Sequence, residues 1–244
     1  MLEGMYSAAA GMAAQQQRLE ALSNDLANVS TAGYKRTRVA FRDLVYARAG
    51  RSSAEGIERG AGAAATFMGR GFAQGALRTT EQPLDFAIEG KGFFQVRRAD
   101  GSIGLTRDGS FRADATGRLV NAQGNIVAPE IRLPANADPA KIGISSTGTL
   151  SLGTRTIGQL SLVEVRAPEG LRATGDGLFD ATADSGPARA ANGTRVSQGV
   201  LEQSNVDIGD AMVDMIDAQR SFSLQSKAIQ MQDQMMEIAN GVKR

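Results

Sequence analysis

The chain has 244 residues, with 27 Lys and Arg against 26 Asp and Glu, so no strong overall charge draws it to nucleic acid or to an anionic membrane. It contains neither Cys nor His, which excludes disulfides, zinc–thiolate sites and thiol nucleophiles, and removes the commonest general base and metal ligand. Trp is absent too, no apolar run reaches the roughly 18 residues of a membrane span, and the N-terminus lacks the charged and apolar regions of a cleaved secretory signal.

The first predicted element is a helix over residues 1–33, loosened near its start by Gly4 and Gly11. Met5, Ala8, Met12, Gln15, Leu19, Leu22, Leu26 and Val29 alternate steps of three and four, a coiled-coil spacing in which Gln15 is the polar exception. Gly33 is the expected C-cap. Lys35, Arg36, Arg38 and Arg42 then form a basic run, read as a solvated or interface face. Val39, Phe41, Leu44, Val45 and Tyr46 make a short apolar extension. Residues 47–66, rich in Gly, Ala, Ser and charge, read as a flexible or extended connection. A short strand is expected within 66–79, anchored by Phe67, Met68, Phe72 and Leu77.

From Pro83 the period changes to two, with Leu84, Phe86 and Ile88 alternating with Asp85, Ala87 and Glu89. Turn signals recur at Gly90–Gly92, Asp100–Gly101, Asp108–Gly109, Thr116–Gly117 and Gln123–Gly124, separated by short apolar runs. That rhythm predicts a compact antiparallel β domain. Further strands are expected at 131–133, 141–144, 149–152 and 158–165. Residues 174–182 are expected to be a loop with one strand, and 194–203 an extended lead into the last helix.

The last helix is expected from Ser204 to Lys243, with Ser204 and Asp207 as a capping-box-like start. Its apolar residues fall on two nearly opposite faces. One carries Ile208, Ala211, Met215, Ala218, Phe222, Ile229 and Met236. The other carries Val206, Val213, Leu224, Ala228, Met231, Met235, Ile238 and Val242. A helix with two apolar faces needs two sets of partners: the first helix of the same chain can cover one, and neighbouring molecules the other. The fold class is therefore α+β, with terminal helices pairing as a coiled coil around an inserted antiparallel β domain. The expected parts are 1–46 with 201–244, the connection 47–66, and the β domain 67–200.

Candidate chemistry is thin. Asp108 with Asp114, and Asp176 with Asp180, read as turn residues rather than a catalytic carboxylate pair. Gly90-x-Gly92 reads as a hairpin turn, since no helix with a third glycine follows. An enzyme such as a peptidoglycan hydrolase would need a cleft with a carboxylate pair, and the lack of His and Cys weighs against it; a membrane-active or adhesive helical hairpin would need stronger hydrophobicity than these Ala- and Gln-diluted faces provide.

Gly11-Met12-Ala13-Ala14-Gln15-Gln16-Gln17-Arg18-Leu19, continuing through Leu22-Ser23-Asn24-Asp25-Leu26-Ala27-Asn28 to Gly33-Tyr34-Lys35, resembles the N-terminal signature of the bacterial flagellar rod and hook axial proteins. Pro83–Val96 with Leu105–Phe111, and Leu201–Asp207 with Gln219–Phe222, are similar to that family's central and C-terminal signatures. Asp25 and Asp207 stand where the family commonly has Asn. Within the family the chain is most like the distal rod proteins; a minor or proximal rod subunit is the alternative. The resemblance implies a structural, non-enzymatic subunit of the flagellar basal body that needs no cofactor or metal. It is exported through the type III apparatus without a cleaved signal and polymerises helically into the drive shaft between motor and hook. Its implied partners are further copies of itself, other rod and hook axial proteins, the export apparatus and the rings around the rod. Nucleic acid and membrane insertion are not implied. The apolar positions expected to carry assembly are Met5, Met12, Leu19, Leu22, Leu26 and Val29 at the start of the chain. At its end they are Val206, Ile208, Val213, Met215, Phe222, Leu224, Ile229, Met231, Met235, Met236 and Ile238.

Overall fold

A computed structural model describes residues 2–44, 47–48, 58–59, 62–134, 137, 141–191 and 193–241. The chain forms two compact units that interleave in sequence: Met1–Ala27, Thr37–Met68 and Asp207–Arg244 make one, and Asn28–Arg36 with Gly69–Val206 make the other. The class is α+β.

In the first unit, helix α1 spans Leu2–Ala27 and helix α2 spans Ile208–Gly241, and the two pack against each other. Strands β1 (Thr37–Asp43), β2 (Ala47–Arg48), β3 (Glu58–Arg59) and β4 (Ala63–Arg70) lie between them in sequence. β1 pairs with β4, the Leu44 N–H donates to the Gly62 carbonyl at 2.8 Å, and β2 pairs antiparallel with β3. The described part of 47–66 is thus extended and largely strand-paired; 45, 46, 49–57, 60 and 61 lie outside the described residues.

Both helix ends differ from expectation, for identifiable reasons. α1 stops at Ala27, not at 33, and a three-residue turn closed by Thr31 N–H to the Asn28 carbonyl at 3.1 Å follows it. The Asp25 carboxylate is buried and accepts the Thr37 N–H with both oxygens, at 3.0 and 3.2 Å, fixing the start of β1 beside the end of α1. α2 begins at Ile208, four residues after Ser204. Its cap is Asp207, whose carboxylate accepts the Asp210 N–H at 3.0 Å, while Ser204 only closes a turn onto the Val206 N–H.

In the second unit the strands are β5 (Leu77–Thr79), β6 (Phe86–Glu89), β7 (Phe93–Arg97), β8 (Ile103–Thr106), β9 (Arg112–Ala113), β10 (Leu119–Val120) and β11 (Ile126–Val127). They continue as β12 (Ile142–Ile144), β13 (Thr149–Leu152), β14 (Arg155–Gln159), β15 (Leu162–Glu164), β16 (Arg172–Gly175) and β17 (Leu178–Asp180). β18 (Arg189–Ala190), β19 (Arg195–Gln198) and β20 (Val200–Glu202) complete the set. The main sheet has the order β16-β17-β8-β7-β11-β10-β9, with β15 joining β7 to β18. β12-β13-β14 form a second sheet, and β6 with β19 and β5 with β20 form two-stranded pairs.

Side chains alternate faces along β7, and each face builds a core. Phe94 and Val96 sit with Phe86, Ile88, Phe111 and Leu119 in one cluster. Phe93 sits with Leu105, Val163 and Phe179 in the other, where Phe72 adds edge-to-face contacts to Phe93 and Phe179 at centroid distances of 5.4 and 5.2 Å. Of the four residues expected to anchor 66–79, only Phe72 does so; Phe67, Met68 and Leu77 are exposed. Residues 131–133 form a single bridge, Arg118 to Arg132, in place of a strand. The segment expected to hold one strand is the β16–β17 hairpin, since Asp176 (φ 53) and Gly177 (φ 69) both adopt the left-handed turn conformation.

Candidate assembly surface

The helix pair starts from small residues. On α1 the most buried positions are Ala14, Ala21, Leu22 and Asp25, and on α2 they are Ala211 and Ala218. Alanines facing one another let two helices approach closely. The Arg18 guanidinium pairs with the Asp214 carboxylate at 2.7 Å and lies 6.0 Å from the centroid of the Phe41 ring. α1 numbering rises as the facing α2 numbering falls, so the two helices are antiparallel: Gly4 faces Gln232, Gly11 faces Gln225 and Arg18 faces Asp214.

Among the expected assembly residues, Leu22 is buried, and Met5, Met12, Leu19 and Leu26 are half-buried. Met215, Ile229 and Met236 are half-buried on α2, whereas Ile208 and Phe222 are exposed. Val29 and Val206 are half-buried and belong to the second unit, apart from the helices. Along the other face of α2, Val213 is 59 % exposed, Leu224 66 % and Ile238 67 %, and Met231 and Met235 are exposed beside them. Met212 and Ile216, outside the positions expected to carry assembly, extend this open surface. Their four-residue spacing, between the two apolar faces, was the available signal. A row of large apolar side chains facing water over most of a long helix is uncommon in a protein that works as a monomer.

Within the second unit, a buried ion cluster holds the segments that flank the helices. Lys35 and Glu202 are fully buried and pair at 2.5 Å; Glu202 also pairs with Arg107 at 3.1 Å and accepts the Gly75 N–H at 2.9 Å. Lys35 further donates to the Ala73 carbonyl at 2.8 Å, and the Arg107 guanidinium lies over the Phe93 ring. Burial lowers the pKa of Lys35 and of Arg107, and Glu202 opposes both shifts. Gly33 (φ 67) donates to the Glu202 carbonyl at 2.8 Å, and a Cβ there would stand 2.5 Å from the Asp108 amide nitrogen. It is therefore required for close backbone approach, well past the helix end it was expected to cap. The basic run is accordingly not one solvated face: Lys35 is buried, Arg36 is half-buried, and only Arg38 and Arg42 are exposed.

Of the carboxylates considered for catalysis, Asp108, Asp114 and Asp176 lie in turns, and Asp180, in β17, pairs with Arg98 at 2.6 Å and Arg172 at 3.4 Å. Asp114 accepts from Thr116 and Arg118 within its own turn, which holds its pKa below the usual carboxylate range. Burial pushes the Asp108 carboxyl up, against its hydrogen bonds from Ser110. Among the described residues no group of acidic side chains is placed to hold a metal ion, and no helix is long and apolar enough to cross a membrane.

The terminal helices pair with one another and leave an apolar face of α2 open, and the β unit lies between them in sequence. Family comparisons agree at three places along the chain. Residues 5–35 match the flagella basal body rod protein family, 87–152 the flagellar hook protein FlgE/F/G D1 domain, and 197–242 the flagellar basal body rod FlgEFG protein C-terminal family. The flagellar basal-body rod protein FlgG of Borreliella burgdorferi is 40 % identical, with all of both chains covered. FlgG of Caulobacter vibrioides is 37 % identical over 97 % of each chain, and FlgG of Bacillus subtilis 35 % identical over the whole of both. The chain belongs to the flagellar basal-body rod protein family and is most like its distal rod member; it is a structural subunit located in the flagellar basal body.

Proposed function

We propose that α1 and α2 pair as an antiparallel coiled coil, and that copies of this pair polymerise helically through the open face of α2 to build the distal rod. The observation that carries this reading is the run of exposed large apolar residues from Met212 to Ile238, on the side of α2 away from its buried alanines. A contact surface that meets a different patch on the next copy does not close on itself and so propagates as a filament. The assembly residues are Leu224, Met231, Met235 and Ile238 on α2, with Val213, Met212 and Ile216 nearer its start. The half-buried positions of α1 complete the packing. The subunit works mechanically rather than catalytically. It reaches the rod through the flagellar export apparatus, joins other rod and hook axial proteins at its ends, and turns inside the surrounding rings.

Leu224→Asp combined with Met231→Asp tests this. Both side chains are exposed in the subunit, so the purified variant keeps its helical signal and its unfolding midpoint, with a stability change within about 0.5 kcal/mol. In cells lacking the native protein, the variant leaves rods incomplete and the cells non-motile. Normal swimming with a stably produced variant would remove the open face from assembly.

A further inference from the structure

We propose that two glutamine–glycine contacts fix the register in which α1 and α2 pair. Gly4 and Gly11 are seven residues apart on α1, and Gln225 and Gln232 are seven apart on α2. A Cβ placed on Gly11 would stand 2.9 Å from the Gln225 side-chain nitrogen, and one on Gly4 would stand 2.5 Å from that of Gln232. Each glutamine amide therefore occupies the space that a side chain at the facing glycine would fill. The amide oxygens of both glutamines, and of Gln15 nearby on α1, are buried without a hydrogen-bond partner. Burying an unpaired amide is unfavourable, and an aliphatic residue would pack there at lower cost. These glutamines are thus poor stabilisers, and their value lies in specificity.

The rest of the seam explains why specificity is needed. Ala14, Ala21, Ala211 and Ala218 are its most deeply buried small residues. Alanine facing alanine looks the same after a shift of one heptad, so these positions do not distinguish one register from the next. The glycine hollows and glutamine amides do. A shift in one direction sets Gln225 against Gly4 and leaves Gly11 facing Ala218 across a void. The opposite shift drives Gln225 toward Arg18 and separates Arg18 from Asp214. Polar residues inside a helical seam select register at the expense of stability in the same way. A one-heptad slip moves α2 by about 10 Å along α1. Every exposed residue of α2 would then be displaced relative to α1, so one register is what gives all copies the same outer surface. This last consequence rests on the assembly reading; the register itself does not.

The test uses purified, unassembled protein, so its failure is separable from failure of the assembly reading. The chain has no cysteines, so engineered pairs report position without background. Arg18→Cys with Asp214→Cys reports the native register, and Arg18→Cys with Ser221→Cys reports a one-heptad slip. With the seam otherwise unchanged, oxidation links the first pair on the order of tenfold more than the second. Replacing Gly4, Gly11, Gln225 and Gln232 all by Ala brings the two yields close to equal, while helical circular dichroism is retained. Native-only linkage in that variant would overturn the proposal, and so would loss of its helix signal, because the four residues would then supply stability rather than register. The exchange Gly11→Gln with Gln225→Gly restores one large and one small partner at the same level. It is expected to return the native preference, and a slipped or unfolded pair would equally overturn the assignment.

Discussion

Replacing Glu202 by Gln removes one negative charge from a site that is shut off from water. Lys35 is fully buried, and the Arg107 side chain is 4 % exposed. With the carboxylate gone, two buried cations face a neutral amide, and the amide's own N–H₂ competes for the space held by their donors and by the Gly75 N–H. Breaking a buried pair from one side costs about 3–5 kcal/mol, because the remaining charge stays desolvated. Two stranded cations place Glu202→Gln at the upper end of that range. Urea unfolding followed by the β-sheet signal measures the loss. The triple variant Lys35→Met, Arg107→Met, Glu202→Leu removes all three charges and should recover most of the stability. A loss below about 1 kcal/mol for Glu202→Gln would mean that water reaches the cluster and that the ion pairs do not hold the second unit together.

The same cluster sets a pH dependence. Burial lowers the Lys35 pKa from 10.5, so the folded chain holds this proton less tightly than the unfolded chain does. The Lys35 contribution to stability then rises as pH climbs toward 10.5, between the lowered pKa of the folded chain and that of the unfolded chain. The native protein should gain on Lys35→Met over that interval in denaturant midpoints, and a narrowing or reversed difference would contradict the sign. In the core, Phe94 is fully buried and meets Phe111 edge to face at 5.3 Å, so Phe94→Ala should lower the stability of the β unit by about 3–5 kcal/mol. A change under about 1 kcal/mol in the same unfolding assay would place Phe94 outside the core.

The local signals in the sequence translate directly into structure where one face of one element decides the outcome. Phe86, Ile88, Phe94 and Val96 fall in the core on their period of two, and Asp100–Gly101 turns the β7–β8 hairpin with Gly101 at φ 84. The two apolar faces of α2 likewise part into a packed side and an open side. Long-range partners are another matter. Nothing local distinguishes Lys35 from Arg36, Arg38 and Arg42; Lys35 is buried because Glu202, 167 positions away, lies opposite it. That pair also explains the unit boundaries: 28–36 and 201–206 belong with the β unit, although the helix pattern runs up to them on both sides. A fragment limited to 67–200 would lack both Lys35 and Glu202 and leave Arg107 without its carboxylate. The helix seam hid in part for a related reason. Leu22, Ala211 and Ala218 fall on the apolar periods, but Ala14, Ala21 and the contacts of Gly4 with Gln232 and of Gly11 with Gln225 carry no such signal.

The most direct test of the assembly account is a photo-reactive phenylalanine analogue at Met231, carried by the full chain in flagellated cells. Met231 is exposed on the open face of α2, and the account predicts an ultraviolet-dependent product containing two copies of this chain, formed only when rods assemble. A product confined to one chain, or none in cells that build complete rods, would contradict it.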